Sequence, residues 1–489
     1  MSGSGSSTDA RPPSGLGSVI SGFGAMALGN VAGQLIGFAA LAYVARRVGA
    51  VNLGAYNFAL ALASYFGLIA NLGVAYMAMR DVAQDPDGIR TTVRETLLLQ
   101  VVLSAAMYAL FIALSSVLVG YREARVLVPI VGLTFVSTAL TLNWVLLATG
   151  RAKVVAIWSF AGQVAYGLGV LLLVDSGAQG VERYAALNVV GLAVTAAGIG
   201  WTYLRMSRGA SRTVTPVFSV RRLATRLRRS VPFGYVLIML SIYGGIDVVM
   251  LGYLDSSRAV GIYAVASKIP AALVALAIIW TSVLFPHTAR QLQANPEGLA
   301  SELGRVTTAA VVVWMLAGSG AAVCGRALIP ALFGSAFRAA GTPFVLLSVA
   351  AGLALIEATF SNVLLASESR RYYAICLTVA AALIVVLNAC LIPPLGVVGS
   401  AIATIAGEVF IAAITARGAV RLLGPIPVEW WRIVRGGIAV AATAATMTIV
   451  QHYLGLVSAL AAGGIMFMTA AWALRVFDRA LWQSRQAAA

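Results

Sequence analysis

The amino-acid sequence predicts an all-α, polytopic membrane protein with about 14 transmembrane helices. Three observations lead to this fold class. First, 60% of the 489 residues are hydrophobic and only 10% are charged, whereas a soluble domain carries about 25% charged residues. Second, apolar segments of about 20 residues, the length that crosses a bilayer core, recur along the chain. Third, the basic residues concentrate in the short connections between these segments, as membrane topology requires.

The apolar segments set the approximate bounds of the spans. Pro393 and Pro394 separate the eleventh span from the twelfth, and a tight turn near Gly455 separates the last two. The predicted spans are 18–44, 55–79, 96–120, 126–148, 154–175, 184–204, 232–254, 259–285, 306–324, 341–366, 372–392, 395–416, 433–453 and 455–475.

The distribution of Lys and Arg predicts the orientation of these spans. With both termini in the cytoplasm, twenty-five of the 34 basic residues lie in inside segments and eight in outside segments, while Lys268 lies within a span. A threefold excess inside agrees with the positive-inside rule. The sequence therefore predicts a multi-pass protein with both termini cytoplasmic.

Two short motifs recur in the same order in the two halves of the chain. A G-x-Y-x-x-A motif opens the second span at Gly54 and the eighth span at Gly261. A second motif ends the fourth span as N-W-V-L-L-A at 143–148 and the tenth as N-V-L-L-A at 362–366. A repeat of six helices inserts both copies in the same orientation, related by an axis along the membrane normal. We expect two lobes that face a central cavity.

The repeat and the local composition together predict a domain plan. The Ser/Gly/Pro-rich start is typical of a disordered cytoplasmic tail, and the connection between the halves is rich in arginine. Apolar residues at helical spacing from Val220 to Val231 favour an amphipathic helix on the anionic inner leaflet, or else a solvated linker. The plan is a tail 1–17, an N-lobe 18–204 (spans 1–6), a basic amphipathic linker 205–231, a C-lobe 232–417 (spans 7–12), two extra helices 418–476 and a C-terminal tail 477–489.

The composition also argues against several function classes. The net charge of +17 reflects basic connections between spans rather than a nucleic-acid surface. Three scattered cysteines and two distant histidines form neither a disulfide framework nor a zinc site. The sequence has no P-loop, and the predicted outside loops are too short to hold the catalytic groups of a glycosyltransferase or polymerase. We therefore expect a transporter without a metal or organic cofactor, and not an enzyme.

A succession of short motifs resembles the polysaccharide-exporter (Wzx-like) oligosaccharide flippases of the multidrug/oligosaccharidyl-lipid/polysaccharide (MOP) superfamily. Each motif is degenerate, so the order in which they occur carries the resemblance, which extends over the chain after the tail. The motifs are Gly29–Leu35 (GNVAGQL), Ala45–Gly49 (ARRVG), Leu53–Tyr56 (LGAY), Asn71–Gly73 (NLG), Arg80–Ala83 (RDVA), Val231–Gly234 (VPFG), Asp247 with Leu251–Tyr253 (LGY), Gly261–Tyr263 (GIY), Phe285–Pro286 (FP) and Leu391–Ala401 (LIPPLGVVGSA).

The resemblance implies that the protein moves a polyprenyl-diphosphate-linked glycan from the inner to the outer leaflet of a cytoplasmic membrane. Membrane lipids, a polysaccharide polymerase and glycosyltransferases are the implied partners. A cation-coupled multidrug (MATE-like) antiporter and a peptidoglycan lipid-precursor flippase stay open as alternatives from the same superfamily. A membrane glycosyltransferase or polymerase is the alternative from another class.

Ionisable residues within the spans are candidate functional residues, because a charge at a helix centre costs at least about 2.5 kcal/mol. Asp247 in the seventh span and Lys268 in the eighth either form an ion pair or act separately. In the second case Lys268 contacts the diphosphate, while Asp247 tunes it or carries a coupling cation. Glu357 in the tenth span and Glu408 in the twelfth either couple transport to Na⁺ or H⁺ or form interhelical hydrogen bonds.

Three further residues are predicted to bind the substrate. Arg47 and Arg80 lie on the family motifs near the outer and inner mouths, where a guanidinium can grip phosphate oxygens in pairs. Asn30 lies in the GNVAGQL segment of the first span and is predicted to line the same cavity. For both arginines, anchoring at the membrane interface is the alternative.

Overall fold

The computed structural model describes residues 16–84, 88–207, 220–367 and 369–476. In these ranges the chain forms fourteen α-helices, one 3-10 helix and no strand, so the all-α prediction is confirmed. The predicted tails, 1–17 and 477–489, lie outside these ranges, except that the first helix begins at Leu16. The helices are α1 (Leu16–Asn71), α2 (Val74–Gln84), α3 (Ile89–Leu118), α4 (Arg122–Leu140), α5 (Asn143–Ala148), α6 (Ala152–Leu173), α7 (Gly177–Ser207), α8 (Val220–Leu254), α9 (Ser257–Ala266), α10 (Lys268–Ala294), α11 (Pro296–Phe333), the 3-10 helix Ser335–Ala340, α12 (Gly341–Ala366), α13 (Arg370–Leu423) and α14 (Trp430–Ala473).

The helices agree with the predicted number of spans. Ten helical segments of the described chain are long and apolar enough to cross a membrane, and the pair α9 and α10, bent by 44°, forms an eleventh. Three of these segments contain a break at a glycine of positive φ, Gly49 (75°), Gly396 (53°) and Gly455 (84°). Only glycine adopts such angles without steric cost. When the two arms of each broken helix are counted separately, fourteen segments result.

The glycine breaks replace loops at three connections. The predicted turn at Pro393 and Pro394 occurs at Gly396, since both prolines are still within the helical part of α13. The predicted turn near Gly455 falls on that residue. At each of these connections a single glycine, and not a loop, separates the two helical arms.

The chain divides into two compact units. The first comprises the described part of Met1–Arg47 together with Leu62–Ile238. Its core joins α2, α3, α5, α6 and α7 through buried side chains that include Val82, Trp144 and Ile199. In the same unit Gly162 of α6 lies against α7, where an added Cβ would come within 2.4 Å of the carbonyl oxygen of Gly191. Glycine therefore allows these two helices to approach closely.

The second unit comprises Val48–Ala61 and the described part of Met239–Ala489. Clusters of buried apolar residues join α8 to α13, and α11 and α12 to α13. Val48–Ala61 falls within the predicted N-lobe but packs with this second unit. The division into lobes, linker and extra helices stays a prediction.

The two copies of the G-x-Y-x-x-A motif meet each other inside the second unit. A Cβ added to Gly54 would lie 1.7 Å from the carbonyl oxygen of Ser257, and one added to Gly261 would lie 2.0 Å from that of Ala50. Each glycine thus faces the carbonyl four residues before the other, which is the reciprocity of an approximate two-fold axis. The hydroxyl of Ser257 also donates to the carbonyl of Val51 at 2.7 Å.

The sequence leaves the basic linker open between an amphipathic helix on the inner leaflet and a solvated linker. Within the described part of the linker, helix α8 begins at Val220 and continues without a break into the seventh span. The residues from Val220 to Leu227 are mainly Arg, Leu and Ala, which are strong helix formers, and no glycine interrupts them before Gly234. The arginines from Arg221 to Arg229 therefore lie on the same continuous helix as the seventh span.

Candidate functional site

The strongest candidate site is a buried carboxylate in the second unit. Asp247 lies on α8 and is 4% exposed. Its Oδ2 accepts hydrogen bonds from the hydroxyls of Tyr263 (2.6 Å) and Thr404 (3.2 Å), and its Oδ1 accepts one from the Nδ2 of Asn388 (2.7 Å). A buried carboxylate needs such donors, because it has lost its hydration.

The local structure explains how these four side chains meet. Asn388 and Thr404 lie on the two arms of α13, at equal distances along the chain from the break at Gly396. The reversal at Gly396 therefore brings both residues to the same carboxylate. Tyr263 comes from α9, whose N-terminus is capped by the hydroxyl of Ser256 accepting from the N–H of Ala259 (3.2 Å).

One further oxygen atom of this group of residues, Oδ1 of Asn388, is buried without a hydrogen-bond partner. Ser400 also belongs to the group, because its side chain is hydrogen-bonded to Tyr263. Buried polar atoms are nearly always satisfied, so an unpaired oxygen beside a carboxylate requires an explanation. Oxygen atoms from Asp, Asn, Thr, Ser and Tyr fit a small hard cation and not a soft metal. The described residues contain no cluster of three His, Cys, Asp or Glu that could hold a metal.

The other two predicted carboxylates lie close to this site. Glu357 of α12 and Glu408 of α13 are within electrostatic range of each other, and Glu408 is also within range of Asp247. Tyr243 of α8 lies beside both glutamates and is hydrogen-bonded to Glu408, while Oε1 of Glu357 is buried without a hydrogen-bond partner. The structure thus gathers the three predicted coupling residues, Asp247, Glu357 and Glu408, in one unit.

Lys268 does not pair with Asp247. It is the first residue of α10, directly after the 44° bend that follows α9, and it is half-buried. Within the described chain it has no ion-pair partner, while Asp247 is satisfied by three uncharged donors. Of the two interpretations drawn from the sequence, the direct ion pair is therefore not formed. The proposed contact with a diphosphate stays a prediction.

The remaining predicted substrate residues belong to the first unit. Arg47 is exposed near the end of the first arm of α1, with its guanidinium 4.8 Å from the centre of the Tyr43 ring. Arg80 is exposed on α2. The backbone of Asn30 is part of α1, but its side chain lies outside the described part of the chain. Their roles toward the substrate stay predictions.

Sequence reasoning identified the acid of the site but not its partners. Tyr263 carried a usable signal, because it is the tyrosine of the repeated G-x-Y-x-x-A motif. Asn388 is an isolated amide in the apolar stretch of the eleventh span, which also could have marked it. Thr404 and Ser400 gave no signal, since hydroxyl residues are common in membrane helices.

The chain is similar to a known protein family and to solved transporter structures. Residues 19–291 match the family described as polysaccharide biosynthesis protein, and a search of curated proteins finds no match. Among solved structures, the lipid II flippase MurJ in an inward closed conformation aligns with a TM-score of 0.74 at 11% identity, over 92% of this chain and 98% of that chain.

Two multidrug resistance MATE family transporters of the MOP superfamily are also similar. An inward-facing structure has a TM-score of 0.59 at 15% identity, over 80% of this chain and 94% of that chain. An outward-facing structure has a TM-score of 0.51 at 16% identity, over 83% and 95% respectively. Such identities show a shared fold, whereas the family match covers more than half of the chain. The chain is therefore a multi-pass membrane protein that belongs to the polysaccharide biosynthesis protein family and has the fold of the MOP superfamily transporters.

Proposed function

We propose that this protein is a flippase for a polyprenyl-diphosphate-linked oligosaccharide, the repeat unit of a polysaccharide. It would carry the head group from the inner to the outer leaflet by alternating access through a cationic central cavity, while the prenyl chain stays in lipid. The family match supports a role in polysaccharide biosynthesis. The similarity to a lipid II flippase over 92% of the chain supports a fold suited to lipid-linked cargo.

The observation that best supports this proposal is the half-buried position of Lys268 without a carboxylate partner in the described chain. A cation within a membrane helix costs at least about 2.5 kcal/mol unless it is paired. Lys268 is half-buried at a helix bend and has no carboxylate partner in the described chain. An anionic substrate group is a partner of the right charge, and the diphosphate of a lipid-linked glycan supplies it. Arg47, Arg80 and Asn30 would assist at the mouths and the wall of the cavity.

Coupling to a cation would drive the transport cycle. The unpaired oxygen of Asn388 beside Asp247 favours Na⁺ or H⁺ at this position, with Glu357 and Glu408 as further proton carriers. The protein would then consume an ion gradient and catalyse no bond cleavage, so we do not propose an enzyme. The cytoplasmic membrane, with both termini inside, is the proposed location, and a polysaccharide polymerase and glycosyltransferases are the proposed partners.

A second candidate is a peptidoglycan lipid-precursor flippase. Its support is the TM-score of 0.74 to MurJ, against 0.59 for the MATE transporter, whose antiporter activity is the third candidate. Both flippase activities need the same cationic contact to a diphosphate, so the structure of the site does not separate them.

The test is the pool of lipid-linked glycans in the native host, measured by mass spectrometry with and without depletion of the protein. Accumulation of one polyprenyl-diphosphate oligosaccharide would support the proposal and identify the cargo. Accumulation of the peptidoglycan precursor would favour the second candidate. An unchanged pool combined with sensitivity to cationic drugs would refute both flippase candidates and favour the antiporter.

A further inference from the structure

We propose that the first unit contains a binding site for the phosphate of an anionic membrane phospholipid, separate from the transport site. The site is a pocket of about 500 Å³ between α2, α3 and α8. Its charged lining consists of Arg221, Arg226 and Arg229 from α8, Asp81 from α2 and Glu95 from α3. The lining carries one net positive charge.

Arg226 links the three helices that form the pocket. Arg226 is 12% exposed at its side chain and donates from Nη1 to Asp81 and from Nη2 to Glu95, each at 3.1 Å. The two ends of one guanidinium therefore fix α2 and α3 relative to α8. Both carboxylates pair with Arg226, and no ion pair joins either of them to Arg221 or Arg229 in the described part of the chain.

The two other arginines are available to an anion. Arg221 and Arg229 are exposed, and neither forms an ion pair within the described part of the chain. With Thr225 they recur at intervals of four residues, so the three side chains share one face of α8. Two guanidinium groups and a hydroxyl on one face present the donors that bind phosphate oxygens.

The position of the pocket on α8 favours a lipid phosphate over a free anion. The apolar part of this helix begins at Val231, so Arg229 lies two residues, or about 3 Å, before it along the axis. That position falls within the head-group layer, which is about 5–8 Å thick on each side of the bilayer core. Val236, two turns beyond Arg229 on the same face, is 43% exposed and is available to an acyl chain.

The experiment compares two neighbouring arginines. The purified full-length protein is placed in nanodiscs with equal amounts of phosphatidylglycerol and phosphatidylcholine, and bound lipids are counted by native mass spectrometry. Arg229→Ala removes a pocket residue, whereas Arg228→Ala removes an exposed arginine of the same helix that is not part of the lining. We expect phosphatidylglycerol binding to fall about tenfold in R229A and to be unchanged in R228A.

The following results would overturn this proposal. They are an equal loss in both variants, no preference of the native protein for phosphatidylglycerol, and displacement of the lipid by millimolar inorganic phosphate. The first would reflect only the general positive potential of the region, and the last would indicate a site for free anions. Added polyprenyl diphosphate should not compete, because the site is distinct from that of the cargo, so competition would also count against it.

Discussion

Asp247 is the residue whose environment is most fully defined. Replacing it with asparagine keeps the shape of the side chain but removes the charge and one acceptor. Three donors now converge on this carboxylate, and an amide cannot accept from all of them. We expect Asp247→Asn to lower glycan export at least about tenfold, with a normal amount of protein in the membrane and no remaining response to Na⁺ or pH.

The matched control for this substitution is Asp175→Asn. Asp175 is an exposed acid that pairs with Arg183 at the surface, and surface pairs contribute little. Export by this variant should equal that of the native protein. If Asp247→Asn exported normally and kept its ion dependence, the coupling role of this site would be rejected.

Lys268 should be required for the cargo and not for folding. Lys268→Gln keeps a polar side chain of similar reach but loses the charge, and no internal ion pair is broken within the described chain. We expect export to fall below detection while the melting temperature changes little, and Lys268→Arg to retain part of the activity. Lys153→Gln, at the start of α6, is the control. Equal export by Lys268→Gln and this control would contradict the diphosphate contact.

At the level of single residues, the sequence identified the charged side chains within the spans but not the side chains that contact them. Asp247, Glu357 and Glu408 could be identified because a carboxylate is rare in a membrane span. Asn388 and Thr404 reach Asp247 only through the reversal at Gly396, and local sequence does not show which side chains such a reversal brings together. The same reason explains why an ion pair between Asp247 and Lys268 looked plausible.

Helix α9 contributes both to the contact between the two motif copies and to the Asp247 site. Gly261 of this helix packs against the backbone of Ala50, and Tyr263, two residues later, holds Asp247. A larger residue at the partner position, Gly54→Val, would place Cβ 1.7 Å from a carbonyl oxygen and force the two segments apart. We expect export to be lost and unfolding to occur several degrees lower, since overpacking costs about 1–3 kcal/mol.

Gly464→Val is the matched control, because nothing lies within 4 Å of an added Cβ at that position of α14. Melting temperature and export should both be unchanged there. Normal stability and export in Gly54→Val would show that the contact between the two motif copies is dispensable.

At the level of elements, the number of spans followed from hydropathy, but helix length and continuity did not: α11 has 38 residues and α8 has 35. A run of about 20 apolar residues defines a span wherever it occurs, so fourteen segments could be counted. The basic segment from Val220 to Ser230 and the seventh span form one helix, because no turn separates them. Composition alone did not distinguish that case from a separate surface helix.

For the whole molecule, the positive-inside distribution predicts that both termini are cytoplasmic. A fluorescent protein fused after Ala489 should therefore be fluorescent, because it folds in the cytoplasm. A periplasmic phosphatase inserted after Gly120, between α3 and α4, should be active. A dark fluorescent protein together with an inactive phosphatase would mean that the topology is inverted. The proposed direction of transport would then be wrong as well.

The grouping of the chain into units was not visible in the sequence. The repeat suggested a boundary between two sixfold sets of helices, yet Val48–Ala61 clusters with the second unit. The cause is the close approach of Gly54 and Gly261, which are far apart along the chain. A contact of this kind depends on two glycines meeting, and each glycine taken alone resembles the others in the membrane helices.

The single-residue breaks at Gly49, Gly396 and Gly455 have a practical consequence. In the predicted topology they all occur on the outer surface, where the other described connections, such as 119–121 and 174–176, are also very short. Exposed loop tips are the usual targets of proteases and the usual places for inserted tags. This surface offers almost none, so antibodies raised against intact cells would find few epitopes, and a protease added from outside would leave the chain uncut.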